Sequence, residues 1–357
     1  MLACDFDKTF SRLEAIFSRE YIIMRLPYYK NTLKSISHLA TVHPEVYIVR
    51  MRNAINRKNV VLFIAATVLF LMSCAPRKAS GVPPVKKNEN TIKITATFYP
   101  LYVLLLNITD GIDGTELSVL APADTGCLHD YQLTTGDMKK IEDCDILVAN
   151  GSGMEDFMEK IIGTKKDSII FATEGYDLLD DNSHVWVSPS GAIFEANRIT
   201  EGLCRLDPTH AAEYRKNAGI YMEKLSALKD HMHSILDSHS GKKIVTFHEA
   251  FPYFAREFNL MIESVVEREP GTAPSPRELA DLIATLKKIL SDGTHIALFA
   301  EPQYSSSAAQ VISKETGLTV YELDPCVTGD LSSPGTKDSY INAMKQNTDV
   351  LKKALEN

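Results

Sequence analysis

Three histidines and one aspartate, His129, His184, His248 and Asp324, each stand in a short motif at an expected strand end. Neutral imidazole and carboxylate are the donors a borderline-soft divalent cation takes, and four such side chains scattered in sequence can meet if the fold gathers them. Three imidazoles and one carboxylate would leave a bound Zn2+ formally at +1. Imidazole nitrogen suits zinc better than manganese, which prefers oxygen, so Zn2+ is the expected ion and Mn2+ the alternative.

His129 lies in PADTGCLHDYQLTTGDMKKIEDCDILVANG, on a loop that follows the apolar run LSVLAP and leads to a helix opening near Thr135. In open α/β sheets ligands collect beyond the carboxyl ends of the strands, which is where this loop falls. His184 lies in DLLDDNSHVWVSPSG, two residues before the chain's one tryptophan, Trp186, which is expected to pack in the core and hold the loop. His248 directly follows KKIVTF and opens HEAFPYFAREF, which reads as helical. Glu249 beside it could orient a ligand imidazole, although compensation of helix N-terminal charge is the plainer reading. Asp324 ends LTVYEL just before Pro325, a proline that stops the strand; the plainer reading here is a turn-forming aspartate. Glu301, after HIALFA, is the first substitute should Asp324 fail. Cys127 and Cys326 lie two residues from His129 and Asp324, so thiols stand near the expected site, and a disulfide between them stays open. His231 and His233, with His239 just beyond them, read as a solvated helix surface with an accessory metal site as the sharper alternative; His210 and His295 have no nameable partner.

The elements that must position these residues alternate. IKITATF (92–98), DILVAN (145–150), SIIFAT (168–173), KKIVTF (242–247), NLMIESVV (259–266), HIALFA (295–300) and LTVYEL (318–323) have strand character, with helical periodicity between them. Helices are expected around 276–290, 305–316 and 337–355. From about Pro208 to Asp237 helix formers run almost unbroken, with Ile220, Leu225, Leu228, Met232 and Ile235 near an i, i+3, i+4 pattern. The fold class is α/β: an N-terminal lobe over 91–207, a linking helix over 208–238 and a C-terminal lobe over 239–357.

Upstream, Arg52, Arg57 and Lys58 precede thirteen apolar or small residues, Val60 to Met72, followed by Ser73-Cys74. That run is too short for a bilayer span, which takes roughly 20 residues. It fits a secretory signal over 51–74, and Leu-Met-Ser-Cys resembles a bacterial lipobox with Cys74 as the lipidated residue. Residues 75–90 read as a flexible tether and 1–50 as an upstream extension outside the native start. A net charge of −8 argues against a nucleic-acid partner, which calls for a basic face, and mildly favours cations.

The stretches TFYPLY (97–102), HDYQLTTGDMKKIEDCDILVANGSGME (129–155), HVWVSP (184–189), TFHEAFPYF (246–254), EPGTAPSPRELADL (269–282), AEPQYSS (300–306) and YELDP (321–325) together resemble the metal-binding solute receptors of bacterial ABC importers, the cluster that carries zinc, manganese or iron. The resemblance covers about 92–355. It implies two α/β lobes joined by one long rigid helix and a metal between them, ligated by His129 and His184 from the first lobe and His248 and Asp324 from the second. It further implies a monomeric extracytoplasmic lipoprotein, anchored to the membrane, that delivers its ion to a permease with a cytoplasmic ATPase. Manganese-type members tend to carry a carboxylate where this chain has His248, which favours zinc. The His- and Asp-rich loop of many zinc-type members is reduced here to Asp177, Asp180 and Asp181. A zinc hydrolase is the competing class, since three histidines with Glu249 nearby could activate water. The HExxH pattern is absent and the resemblance spans the whole body, so no enzymatic activity is expected.

Overall fold

The computed structural model describes residues 91–356 apart from 130, 166, 267–273 and 304–306. The signal segment, Cys74 and the tether lie outside the described residues, as do parts of the 269–282 and 300–306 motifs. Among the described residues no helix is long and apolar enough to cross a membrane.

Among the described residues eight strands form two four-stranded parallel sheets. The first joins β1 (Ile92–Ala96), β2 (Thr115–Val119), β3 (Ile146–Ala149) and β4 (Ile169–Phe171) in the order β2-β1-β3-β4. The second joins β5 (Lys243–Thr246), β6 (Met261–Val265), β7 (Ile296–Ala300) and β8 (Val320–Glu322) in the order β6-β5-β7-β8. Each lobe therefore has the same winding: the chain leaves its first strand to one side, then crosses back to the other. Inner strands are covered on both faces, which is why β3 (ILVA) and β7 (IALFA) are apolar and buried throughout. The edge strand β2 (TELSV) is half-exposed and tolerates Glu116 and Ser118, so its polar residues hid it from the sequence reading.

Nine helices occupy the described connections: α1 (Tyr99–Ile108), α2 (Thr135–Asp143), α3 (Glu159–Ile162), α4 (Pro189–Leu206), α5 (Ala211–Leu236), α6 (Pro252–Glu257), α7 (Pro276–Ser291), α8 (Ser307–Thr316) and α9 (Ser339–Glu356). The long helix α5, 26 residues and about 39 Å at 1.5 Å per residue, connects the two lobes and packs against α1, α4 and α9. Asp207 sets its start, accepting from the Thr209 N–H, Tyr214 Oη and His210 Nδ1. The buried stripe is Tyr214, Ala218, Tyr221, Leu225, Leu228, Met232 and Leu236. Leu225, Leu228 and Met232 match the expected face. Ile220 does not: one position before Tyr221, it turns about 100° off the stripe and is exposed.

The lobes are stitched directly. Trp186 Nε1 donates to Pro325 O at 2.8 Å, and Tyr340 Oη donates to Trp186 O at 2.9 Å. Gly329 N donates to Ala123 O, and Tyr99 Oη to Ser339 Oγ. One apolar core runs from the first sheet across α5 to α6 and α9, with Trp186 packed edge-on against Phe98. Trp186 thus has the core role expected of it.

Candidate metal centre

His129 comes from the loop that continues β2. That loop is pinned at its far end by α2, whose Thr134–Asp137 capping box also draws in Tyr131 Oη at 2.8 Å. His184 comes from the loop after β4, which includes Asp180 and Asp181 in the left-handed region, at φ 48° and 57°. Immediately after it the chain makes a single turn, Val185–Val187, and enters α4 through the Ser188 cap. Gly191 lets the first turn of α4 lie against that turn, because a Cβ there would stand 1.9 Å from Val185 O. His248 follows β5. The expected helix over 248–258 is confined to Pro252–Glu257, since Pro252 disfavours helical backbone at Phe251 and starts the helix itself; His248 and Glu249 occupy the turn before it.

These three histidines meet. His129 Nε2 and His184 Nε2 are 3.4 Å apart, and the ring centroids are separated by 5.2 Å (129–184), 4.8 Å (184–248) and 6.2 Å (129–248). His184 and His248 are buried, whereas His129 is exposed at the rim. They line a cavity of about 360 Å3 whose wall also includes Asp180, Asp181 and Glu249, an acidic approach suited to a cation.

The His184 tautomer follows from its partner. His184 Nδ1 is 3.1 Å from Asn182 Oδ1, an oxygen that also receives the His184 N–H at 2.9 Å. An amide oxygen only accepts, so the ring proton sits on Nδ1 and the lone pair on Nε2, the atom facing His129. Asn182 in turn donates from Nδ2 to Glu249 O and accepts at its carbonyl from Tyr253 Oη, both from the other lobe. His248 Nδ1 lies 3.3 Å from Glu301 Oε1, close enough for an ion pair but not aligned as a hydrogen bond. Burial first, then the neighbouring His248 and His129 rings, hold the His184 imidazole well below 6.5 and keep it neutral, the form that ligates.

Asp324 lies outside the closest group of donor atoms. It lines a separate cavity of about 310 Å3 with Tyr99, Cys326, Gly329 and Tyr340. Its Oδ1 accepts from Cys326 N at 2.7 Å, and its backbone is clasped by Asn347. Burial raises its carboxyl above the usual carboxylate range, opposed by the Cys326 N–H and reinforced by the charge of Glu301. The cause is sheet order. β7 is the neighbour of β5, so Glu301 ends beside His248, while β8 lies a second strand away, about 4.8 Å further along the sheet.

Cys127 is drawn in instead. Its buried Sγ is 3.5 Å from His184 Nε2, and Cys127, His184 and His248 offer donor atoms all within 4.8 Å of one another. Among the described residues no other three His, Cys, Asp or Glu donors gather so closely. Cys127 and Cys326 are both free thiols, each raised well above 9 by burial first, then by Glu301 and Asp324 respectively. Three of the remaining histidines have structural partners: Asp207 for His210, Asp237 for His233 and Ala354 O for His295. Asn182, which sequence reading passed over, carried one signal: an Asx residue two before a histidine in a turn.

The family model for ZnuA, zinc-uptake complex component A periplasmic, matches residues 94–354. The chain belongs to this family. Among relatives, the zinc-binding lipoprotein AdcA of Streptococcus pneumoniae is 28% identical over 325 residues, covering 84% of this chain and 61% of AdcA. This chain thus spans less than two thirds of that relative. The Zn(II)-bound structure of AdcA from that organism gives a TM-score of 0.64 at 29% identity, over 75% of this chain and 58% of AdcA. The high-affinity zinc uptake system protein ZnuA of Bacillus subtilis is 27% identical over 314 residues, covering 82% of this chain and 96% of the relative. FpvC of Pseudomonas aeruginosa, solved in complex with Mn2+, matches with a TM-score of 0.67 and 30% identity over 75% of this chain and 99% of that one.

Proposed function

We propose that this protein is an extracytoplasmic receptor that captures Zn2+ on His129, His184 and His248 and presents it to the permease of an ABC importer, whose ATPase drives uptake. The observation that carries the reading is the convergence of three imidazoles from two lobes, with the His184 lone pair fixed on Nε2 by Asn182 and the Glu301 carboxylate 3.3 Å from His248 Nδ1. A tetrahedral zinc ion with Zn–N bonds of about 2.0–2.1 Å sets its ligating nitrogens about 3.3–3.4 Å apart. His129 and His184 already stand at 3.4 Å. The acidic rim concentrates the cation, the buried pair His184 and His248 receives it, and the exposed His129 closes over it. Release reverses that order: His129 leaves first, and a small separation of the lobes weakens the bond to His248 without unfolding either half. Asp324 is the carboxylate expected at the fourth position; here one of its oxygens accepts the Cys326 N–H.

Lipid anchoring through Cys74, at the end of the signal segment, would tether the receptor beside its permease. Globomycin treatment of cells expressing the full chain is expected to block processing at Cys74. Normal processing with no lipid label on the protein would remove the anchor. For the cargo, titration of chelator-stripped protein with zinc and with manganese is expected to give one high-affinity zinc site and weaker manganese binding. Tighter manganese binding would move the protein to the manganese branch of the same reading.

A further inference from the structure

We propose that the Cys127 thiolate is the fourth ligand of the captured ion, making the centre His3Cys rather than three histidines and a carboxylate. This rests on the three-histidine reading and extends it to the residue that sets metal preference.

The argument is geometric. A tetrahedral zinc with Zn–S of about 2.3 Å and Zn–N of about 2.0–2.1 Å places sulfur and nitrogen roughly 3.5–3.6 Å apart. Cys127 Sγ stands 3.5 Å from His184 Nε2, beside the 3.4 Å edge from His184 Nε2 to His129 Nε2. Two edges of a zinc tetrahedron are therefore present at one atom. In the metal-free protein the His184 Nε2 lone pair faces both the thiol and the His129 ring. An ion at that convergence takes their place: the S–H bond breaks, its proton leaves to solvent, and the sulfur lone pair closes on the metal. Glu301 accepts from Gln303 Nε2 at 2.5 Å and stands 3.3 Å from His248 Nδ1, and one Asp324 oxygen accepts the Cys326 N–H, whereas the Cys127 thiol already faces His184 Nε2. Cys127 is also held: it is buried on the loop between Ala123, bonded to Gly329 of the other lobe, and Tyr131, bonded to α2. A thiolate among imidazoles selects zinc over manganese more strongly than a carboxylate does.

Cobalt(II) substitution of the chelator-stripped full chain tests this, because thiolate ligation adds a sulfur-to-cobalt charge-transfer band in the near ultraviolet to the visible bands of tetrahedral cobalt. The wild type is expected to show both. Cys127→Ser is expected to lose the charge-transfer band, keep cobalt bound by the histidines, and bind zinc more weakly by at least the roughly 10–100-fold that loss of an outer-shell partner costs. Its zinc-over-manganese preference should narrow, while Asp324→Asn keeps the band. Zinc K-edge absorption of the wild type should show one sulfur near 2.3 Å. Cobalt bound in the wild type with tetrahedral bands but no charge transfer, or with a band that survives Cys127→Ser, overturns the proposal and leaves the histidine site standing. Undiminished cobalt binding in His184→Ala overturns the histidine site itself, and the Cys127 assignment with it.

Discussion

The two lobes wind their sheets identically, β2-β1-β3-β4 and β6-β5-β7-β8, yet deliver the proposed metal donors by different routes. In the second lobe His248 and Glu301 leave the carboxyl ends of β5 and β7, the adjacent strands whose connections run to opposite sides, where α/β sheets open their ligand crevice. The first lobe fills the equivalent crevice between β1 and β3 with the buried carboxylate of Glu155. That group accepts Thr97 Oγ1 at 2.8 Å, Asn150 N at 2.7 Å and Gly151 N at 2.9 Å. Asn150 then holds Ser183 O at 2.9 Å, next to His184, so the first lobe's crevice braces a loop while its donors arrive on long connections from edge strands β2 and β4. The same topology serves as a ligand seat in one lobe and a clamp in the other.

The largest expected effect comes from removing the seat or its counterpart. His248→Ala and His184→Ala should each lower zinc affinity by more than the roughly 100-fold upper range of an outer-shell loss, with circular dichroism unchanged. Unchanged affinity by calorimetry in His248→Ala would leave the second lobe without a ligand and dissolve the comparison. Next in size, Glu301→Gln and Asn182→Ala act on opposite lobes through the imidazole each one stands beside. Both are expected to weaken zinc by roughly 10–100-fold. An effect in only one would show that only that lobe's histidine depends on its polar neighbour.

Asp324→Asn should cost less than about tenfold, below Glu301→Gln, because Asp324 follows β8, which is a strand further from β5 than β7 is. Calorimetry giving the reverse order would mean that the sheet edge supplies the carboxylate after all. The smallest effect is one of proton linkage. His184 is held below its unfolded value of about 6.5, so the unfolded chain takes up more protons as the pH drops past 6.5, and stability is complete above that pH and declines below it. Denaturant midpoints of the metal-free protein should fall between pH 7 and 5, and His184→Gln should flatten part of that slope. An equally steep slope in the variant would assign the proton uptake elsewhere.

Much of this was legible in the sequence. Inner strands such as β3 and β7 announce themselves as short apolar runs because both faces are covered, and α5 by three of its stripe residues. The three histidines were legible as strand-end residues. Asp324 has the same local signature, and what separates it from Glu301 is the order of strands in the sheet, which no local pattern encodes. His248 looked helical because apolar spacing in HEAFPYFAREF outweighed Pro252, whose ring sets the true start. Cys127 showed only its proximity to His129 in sequence; its contact with His184 depends on a loop folding back across 57 residues.

Anomalous diffraction at the zinc edge, from crystals of the protein with one equivalent of zinc, tests the central claim most directly. The account predicts a single peak about 2.0–2.1 Å from ring nitrogens of His129, His184 and His248 together. A peak in the Asp324 cavity, or one touching histidines of a single lobe, would contradict it.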